Sequence, residues 1–186
     1  ELDQRGTVRR TDLFQKVGDV GRVERMHQVF DGTGIAFPDG IEAKVPFGIT
    51  IHEAAKNAGI TIPTLCDHPD LDVAGVCRMC VVEINGSPRL SAACVTQIAE
   101  GMEVTAHSEQ LADYRRAVTE MMFLERNHVC AVCVANNHCE LQDTADEMGV
   151  NHFDLPRISP KVDVDATHRL FTLDHNRCIL CLRCVR

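Results

Sequence analysis

The chain has 186 residues, a formal net charge of −8, 45% apolar residues, 4% aromatics and no Trp. That length suits one ordinary domain or two small ones, with few large side chains to fill a core. The acidic balance, with no Lys/Arg run beyond two residues, argues against a nucleic-acid or anionic-membrane surface, and no apolar run approaches the roughly 18 residues of a membrane-crossing helix. Residues 1–33 read as a polar extension with no assignable function, in which TDLFQKV and RVERMHQVF are short helix candidates. From Gly34 the pattern changes. IAF, PDG and IEAKV read as strand, turn and strand, with Asp39-Gly40 as the hairpin signal. Thr50 is placed to cap a helix over IHEAAKNA, which Gly59 closes and Pro63 keeps from continuing. A long loop carries Cys66, Cys77 and Cys80. MCVVEI, PRLSAACV and MEVTA read as three more strands, the first two joined by Asn85-Gly86. Ser108 caps a helix running to about Arg126, with Leu111, Val118, Met121, Met122 and Leu124 as its core stripe. A second cysteine loop leads to a helix over CELQDTADEMG ended by Gly149. Residues 151–170, with Pro156 and Pro160, read as a linker with little regular structure. LDHNRCILCLRCVR closes the sequence.

The start, ELDQRGTVRR, has neither Met nor the apolar segment of a signal peptide, and the last residues break off within a cysteine motif. The chain therefore reads as part of a longer polypeptide. Ten cysteines without a secretory segment point to metal rather than disulfides, and to a reducing compartment, the cytoplasm. Metal crosslinks are then expected to supply part of the folding energy.

The ten cysteines divide into groups of four, three and three, with none left over. Cys66, Cys77, Cys80 and Cys94 offer four thiolates, the complement of a [2Fe–2S] cluster at two per iron. The C-x2-C pair Cys77/Cys80, in a tight loop, can offer both sulfurs to one metal site. Ala74, Gly75, Ala92 and Ala93 leave room for backbone N–H groups to approach the sulfides. Structural zinc on the same thiolates is the alternative; the neighbouring sheet favours iron–sulfur. Cys130, Cys133 and Cys139 need a fourth ligand to hold a [4Fe–4S] cubane. His128 and His138 both lie close by, and His128 is the preferred candidate. A three-cysteine cluster with an open position, or zinc on three cysteines and one histidine, remain as alternatives. A neutral imidazole in place of a thiolate makes a cluster less negative and raises its potential. Cys178, Cys181 and Cys184 have the C-x2-C-x2-C spacing of [4Fe–4S] ferredoxins, whose next cysteine would fall beyond the last residue. The remaining histidines, among them His52, His68 and His175, read as solvated; His68 and His175, near cysteines, are the alternative candidates for hydrogen-bond donors to a cluster's ligands. No G-x-G-x-x-G after a strand, P-loop, G-x-S-x-G or H-E-x-x-H is present, and no cysteine remains as a nucleophile. No catalytic residue is assigned. The chain is expected to move electrons, not to transform a substrate.

IPTLCDHPDLDVAGVCRMCVVEI and RLSAACVT resemble the [2Fe–2S] domain at the head of the respiratory complex I large peripheral subunit. NHVCAVCVANNHCELQD resembles the [4Fe–4S] segment of that superfamily, which uses one histidine and three cysteines, and DHNRCILCLRCVR the start of its next ferredoxin-like domain. The H-x-C spacing of His128 and Cys130 is similar to the iron–sulfur diaphorase subunit of NAD-reducing [NiFe] hydrogenases. The resemblance implies an α+β fold in parts. Residues 34–107 would form a β-grasp [2Fe–2S] ferredoxin domain and residues 108–150 a small helical and loop [4Fe–4S] domain with His128 as ligand. Residues 151–186 would be a linker and the start of a ferredoxin-like [4Fe–4S] domain. It further implies an electron relay between hydrogenase subunits and a flavin- and NAD-binding subunit. The electron-relay head of an NAD-dependent formate dehydrogenase alpha subunit, an [FeFe] hydrogenase or a complex I large peripheral subunit is the alternative.

Overall fold

The computed structural model describes residues 33–37, 41–158 and 160–186. TDLFQKV, RVERMHQVF and the Asp39-Gly40 turn lie outside the described residues. Strand β1 (Thr33–Phe37) pairs antiparallel with β2 (Ile41–Val45), with Phe37 opposite Ile41. Side chains alternate between faces along a strand, so Ile35 and Phe37 turn to the core together. Helix α1 (Ile51–Asn57) opens with a capping box: the Glu53 amide donates to Thr50 Oγ1 at 3.2 Å and the Thr50 amide to the Glu53 carboxylate at 2.8 Å. It closes with Ile60 N–H on the Ala55 carbonyl at 2.8 Å and Gly59, at φ +76°, on that of Lys56 at 3.1 Å. Ile51, Ala54 and Ala55 bury the inner face of α1 against Ile35, Phe37, Val82 and Val104. Burying each larger aliphatic contributes about 1.5–3 kcal/mol.

Strands β3 (Val81–Ile84), β4 (Ser91–Ala92) and β5 (Met102–Thr105) complete a five-stranded sheet ordered β2-β1-β5-β3-β4, in which β1 and β5 run parallel. Asn85 and Gly86, at φ +51° and +65°, make the turn after β3, and the Ser87 amide donates to the Ile84 carbonyl at 2.9 Å. The expected strand over PRLSAACV is reduced to Ser91–Ala92. The amides of Val95 and Thr96 fold back onto the Ala92 carbonyl at 3.3 and 3.1 Å, and that turn carries Cys94 inward.

Helix α2 (Glu109–Glu125) starts at Ser108, whose Oγ accepts from the Leu111 amide at 3.2 Å and donates to Glu83 on β3 at 2.7 Å. Its buried face holds Leu111, Arg115, Val118, Thr119 and Leu124, whereas Met121 is 48% exposed. The helical period thus brings Arg115 inward and turns Met121 out of the expected stripe. Helix α3 (Glu140–Glu147) packs Leu141 against Val118 of α2 and ends at Gly149, with Val150 N–H on the Ala145 carbonyl at 2.8 Å. The buried Glu120 carboxylate accepts the amides of Asp154 and Leu155, which pins the linker to α2. Within that linker and just after it, β6 (Val164–Asp165) and β7 (Leu173–Asp174) form a short antiparallel ladder where little regular structure was expected. No helix among the described residues is long and apolar enough to cross a membrane.

Candidate metal centres

None of the ten cysteines forms a disulfide. The first four are buried at one end of the sheet, between 0% and 4% exposed. They fall into two pairs. Cys80 precedes β3, and its carbonyl accepts the Ala93 amide at 3.0 Å; this rung sets its sulfur 3.3 Å from that of Cys94. Cys77 instead faces Cys66, and the Leu65 amide points at its sulfur at 3.5 Å. Within this one four-sulfur site Cys77 and Cys80 thus have different partners, Cys66 and Cys94. Arg78, in the left-handed region at φ +59°, turns the chain between the two. The Cys94 thiol draws Cys80 down to about 6, helped by the backbone N–H groups of Cys94 and Ala93 and by the nearby His52, and opposed by burial. The same contact with Cys80 raises Cys94, and burial raises Cys77.

Two thiolate pairs joined by amide donors fit the four-cysteine requirement of a [2Fe–2S] centre. Gly75 adopts φ +64°, and a Cβ there would meet Val95 Cγ1 at 2.8 Å, so a side chain at this point of the loop would be strained. Among the described residues no three His, Cys, Asp or Glu side chains are arranged to hold a single metal ion. His52, read as solvated from sequence, is half-buried on α1, with Nδ1 3.7 Å from Asp67 Oδ2. His68 serves its own turn, accepting the Asp70 amide at 3.2 Å.

The second group lies on a loop after α2. Cys130 opens a short 3₁₀ turn (Cys130–Val132), and Cys133 N–H returns to the Cys130 carbonyl at 3.0 Å. Cys139 is the N-cap of α3 but makes no capping bond with its side chain, so its sulfur is left for a metal at the positive end of the helix. Of the two candidate histidines, His138 is exposed. His128 is half-buried and stacks edge-on to Phe123 at 5.6 Å. Burial and the positive charge of Arg177 lower its pKa, which keeps the imidazole neutral, while a hydrogen bond to the Met122 backbone works the other way. Its Nε2 is buried without a hydrogen-bond partner. A neutral imidazole with one nitrogen held by the backbone and the other unsatisfied has the form of a metal ligand.

In the third group, Leu180 and Leu182 take left-handed backbone angles, +57° and +60°, and the Leu180 amide donates to Cys178 Sγ at 3.3 Å. Arginines fasten this segment to the first loop. Arg183 donates to the Asp67 carbonyl at 2.6 Å and pairs with Glu140 at 2.8 Å; Arg186 donates to the Cys66 carbonyl at 2.6 Å and to that of Asp72. One apolar cluster, built on Leu65, Met79, Val118 and Leu141, includes Cys66 and Cys77 from the first group and packs against Cys139 from the second and Cys181 from the third.

Comparison with known proteins agrees with this chemistry. Residues 36–109 match the family described as 2Fe-2S iron-sulfur cluster binding domain, and residues 115–153 match the NADH-ubiquinone oxidoreductase-G iron-sulfur binding region. The chain is an iron–sulfur protein with a [2Fe–2S] cluster domain and a [4Fe–4S] cluster region. It is 35% identical over 147 residues to the NAD-reducing hydrogenase HoxS subunit gamma of Cupriavidus necator, covering 79% of this chain and 62% of that subunit. It is 37% identical over 150 residues to the mitochondrial NADH-ubiquinone oxidoreductase 78 kDa subunit of Candida albicans, covering 80% of this chain and 21% of that one. In a crystal structure of NAD+-reducing [NiFe]-hydrogenase in the H2-reduced state, one chain matches with a TM-score of 0.77 and 39% identity, over 82% of this chain and 64% of that chain. The chain belongs to the superfamily that unites the iron–sulfur diaphorase subunits of NAD-reducing [NiFe] hydrogenases with the N-terminal part of the complex I large peripheral subunit. It spans less than two thirds of each of these relatives.

Proposed function

We propose that this chain is the iron–sulfur subunit of a cytoplasmic NAD-reducing hydrogenase, relaying electrons between hydrogenase subunits and a flavin- and NAD-binding subunit. In this reading residues 34–107 carry the [2Fe–2S] site, with Cys66 and Cys77 on one iron and Cys80 and Cys94 on the other. Residues 108–150 carry the [4Fe–4S] site of His128, Cys130, Cys133 and Cys139. Cys178, Cys181 and Cys184 contribute three ligands to a further [4Fe–4S] site in residues 151–186. When bound, the clusters supply one-electron storage and release. The protein's part is to gather, bury and connect the ligands. The observation that carries the reading is the apolar cluster of Leu65, Met79, Val118 and Leu141 shared by all three cysteine groups. A common wall of packed side chains joins the three cysteine groups, a connection that suits successive one-electron transfers.

The 37% identity to the 78 kDa subunit supports a second reading, in which the chain is the electron-relay head of an NADH:quinone oxidoreductase. The two separate by electron donor. In the native complex, purified anaerobically and followed by EPR, both H2 and NADH should reduce the centres. Reduction by NADH alone would favour the second reading, and reduction by neither would contradict both.

A further inference from the structure

Arg115 lies on the inner face of α2, one turn after Leu111 and just before Val118, and is 3% exposed. Its Nε donates to the Met79 carbonyl at 3.1 Å, and Nη2 donates to the carbonyls of Val81 and Ala106, both at 2.9 Å. Met79 and Val81 flank Cys80, so the guanidinium grips the backbone on either side of a cluster cysteine. All three acceptors are neutral. Among the described residues no carboxylate pairs with Arg115. Burying a cation with no opposing charge is strongly unfavourable. Burial draws the group down to about 10, where it is still cationic at neutral pH, and a negative charge on Cys80 acts in the opposite sense. The opposing charge that the structure otherwise lacks is the thiolate cage itself.

We propose that Arg115 is a positioning residue that supplies the fixed positive charge balancing the [2Fe–2S] cage and raises the potential of that centre. The proposal rests on Cys66, Cys77, Cys80 and Cys94 being the cluster ligands. Uptake of one electron from an external donor such as dithionite makes the cage one unit more negative. A nearby buried cation favours that state more than the oxidised one. Because α2 continues toward His128 and the second group, the same side chain also ties the two cluster regions together.

The test is an EPR-monitored redox titration with dithionite of the native complex carrying wild-type chain, Arg115→Lys or Arg115→Gln. Both substitutions keep hydrogen-bond donors, and only the lysine keeps the charge. Arg115→Gln should shift the reduction equilibrium of the [2Fe–2S] centre toward the oxidised form about tenfold or more, which is 59 mV for one electron. Arg115→Lys should stay within a few-fold of wild type, and the [4Fe–4S] potential should hold in both. Loss of the [2Fe–2S] signal in Arg115→Gln but not Arg115→Lys would also support a charge role. An unchanged potential in Arg115→Gln, equal shifts in both variants, or loss of the centre in both would overturn it. A wild-type complex lacking any [2Fe–2S] signal would instead refute the ligand assignment.

Discussion

Cys66, Cys77, Cys80 and Cys94 sit at the end of a sheet whose core of Ile35, Phe37, Ile51, Val82 and Val104 is buried before any metal is considered. Between Val129 and Cys139, by contrast, no residue is buried, and Cys184 of the third group is exposed. The first site is a pre-shaped cage on an apolar scaffold. The second and third lie on loops shaped by 3₁₀ turns, a helix N-terminus and arginine clamps. Small segments without a core depend on crosslinks for their fold, so the metal's share of stability should be larger in the loops than in the sheet.

The contrast can be broken most forcefully by stripping the iron. Anaerobic chelation should abolish amide-exchange protection across 128–139 and 175–186 while leaving that of β1, β3 and β5 largely in place; uniform loss would show that the sheet also needs its cluster. Next in size, Cys77→Ser should lose or weaken the [2Fe–2S] EPR signal and leave the [4Fe–4S] signal largely intact, and loss of both would show the two regions to be interdependent. Leu141→Ala removes part of the apolar wall shared by the cysteine groups and should cost about 2–5 kcal/mol in denaturant unfolding, with the second region melting first. The smallest effect is expected at Thr50→Ala, which deletes half of the α1 capping box and should cost about 1 kcal/mol.

Much of this organisation is legible in the sequence because it is written in local chemistry. The Thr50 and Ser108 caps, the Gly59 and Gly149 terminations and the Asn85-Gly86 turn all appear where expected. Spacing leaves both His128 and His138 open as ligands; what the fold adds is that His138 is exposed while His128 is half-buried with an unsatisfied Nε2, which supports the proposal of His128. What spacing could not reveal is pairing across the fold. Cys77 and Cys80 are three residues apart, yet the left-handed turn at Arg78 and the Ala93–Cys80 rung send them to different partners. Arg115 escaped notice because charged residues are normally assigned to solvent. The available signal was its position, i+4 from Leu111 and i−3 from Val118, on the buried stripe itself. His52 was missed for the same reason.

EPR of the anaerobically purified, dithionite-reduced protein, with pulsed detection of nitrogen, is the most direct test of iron–sulfur ligation by these cysteines and His128. A [2Fe–2S] and a [4Fe–4S] signal are expected, the latter coupled to an imidazole nitrogen that disappears in His128→Cys. A folded, colourless and EPR-silent protein would contradict that ligation.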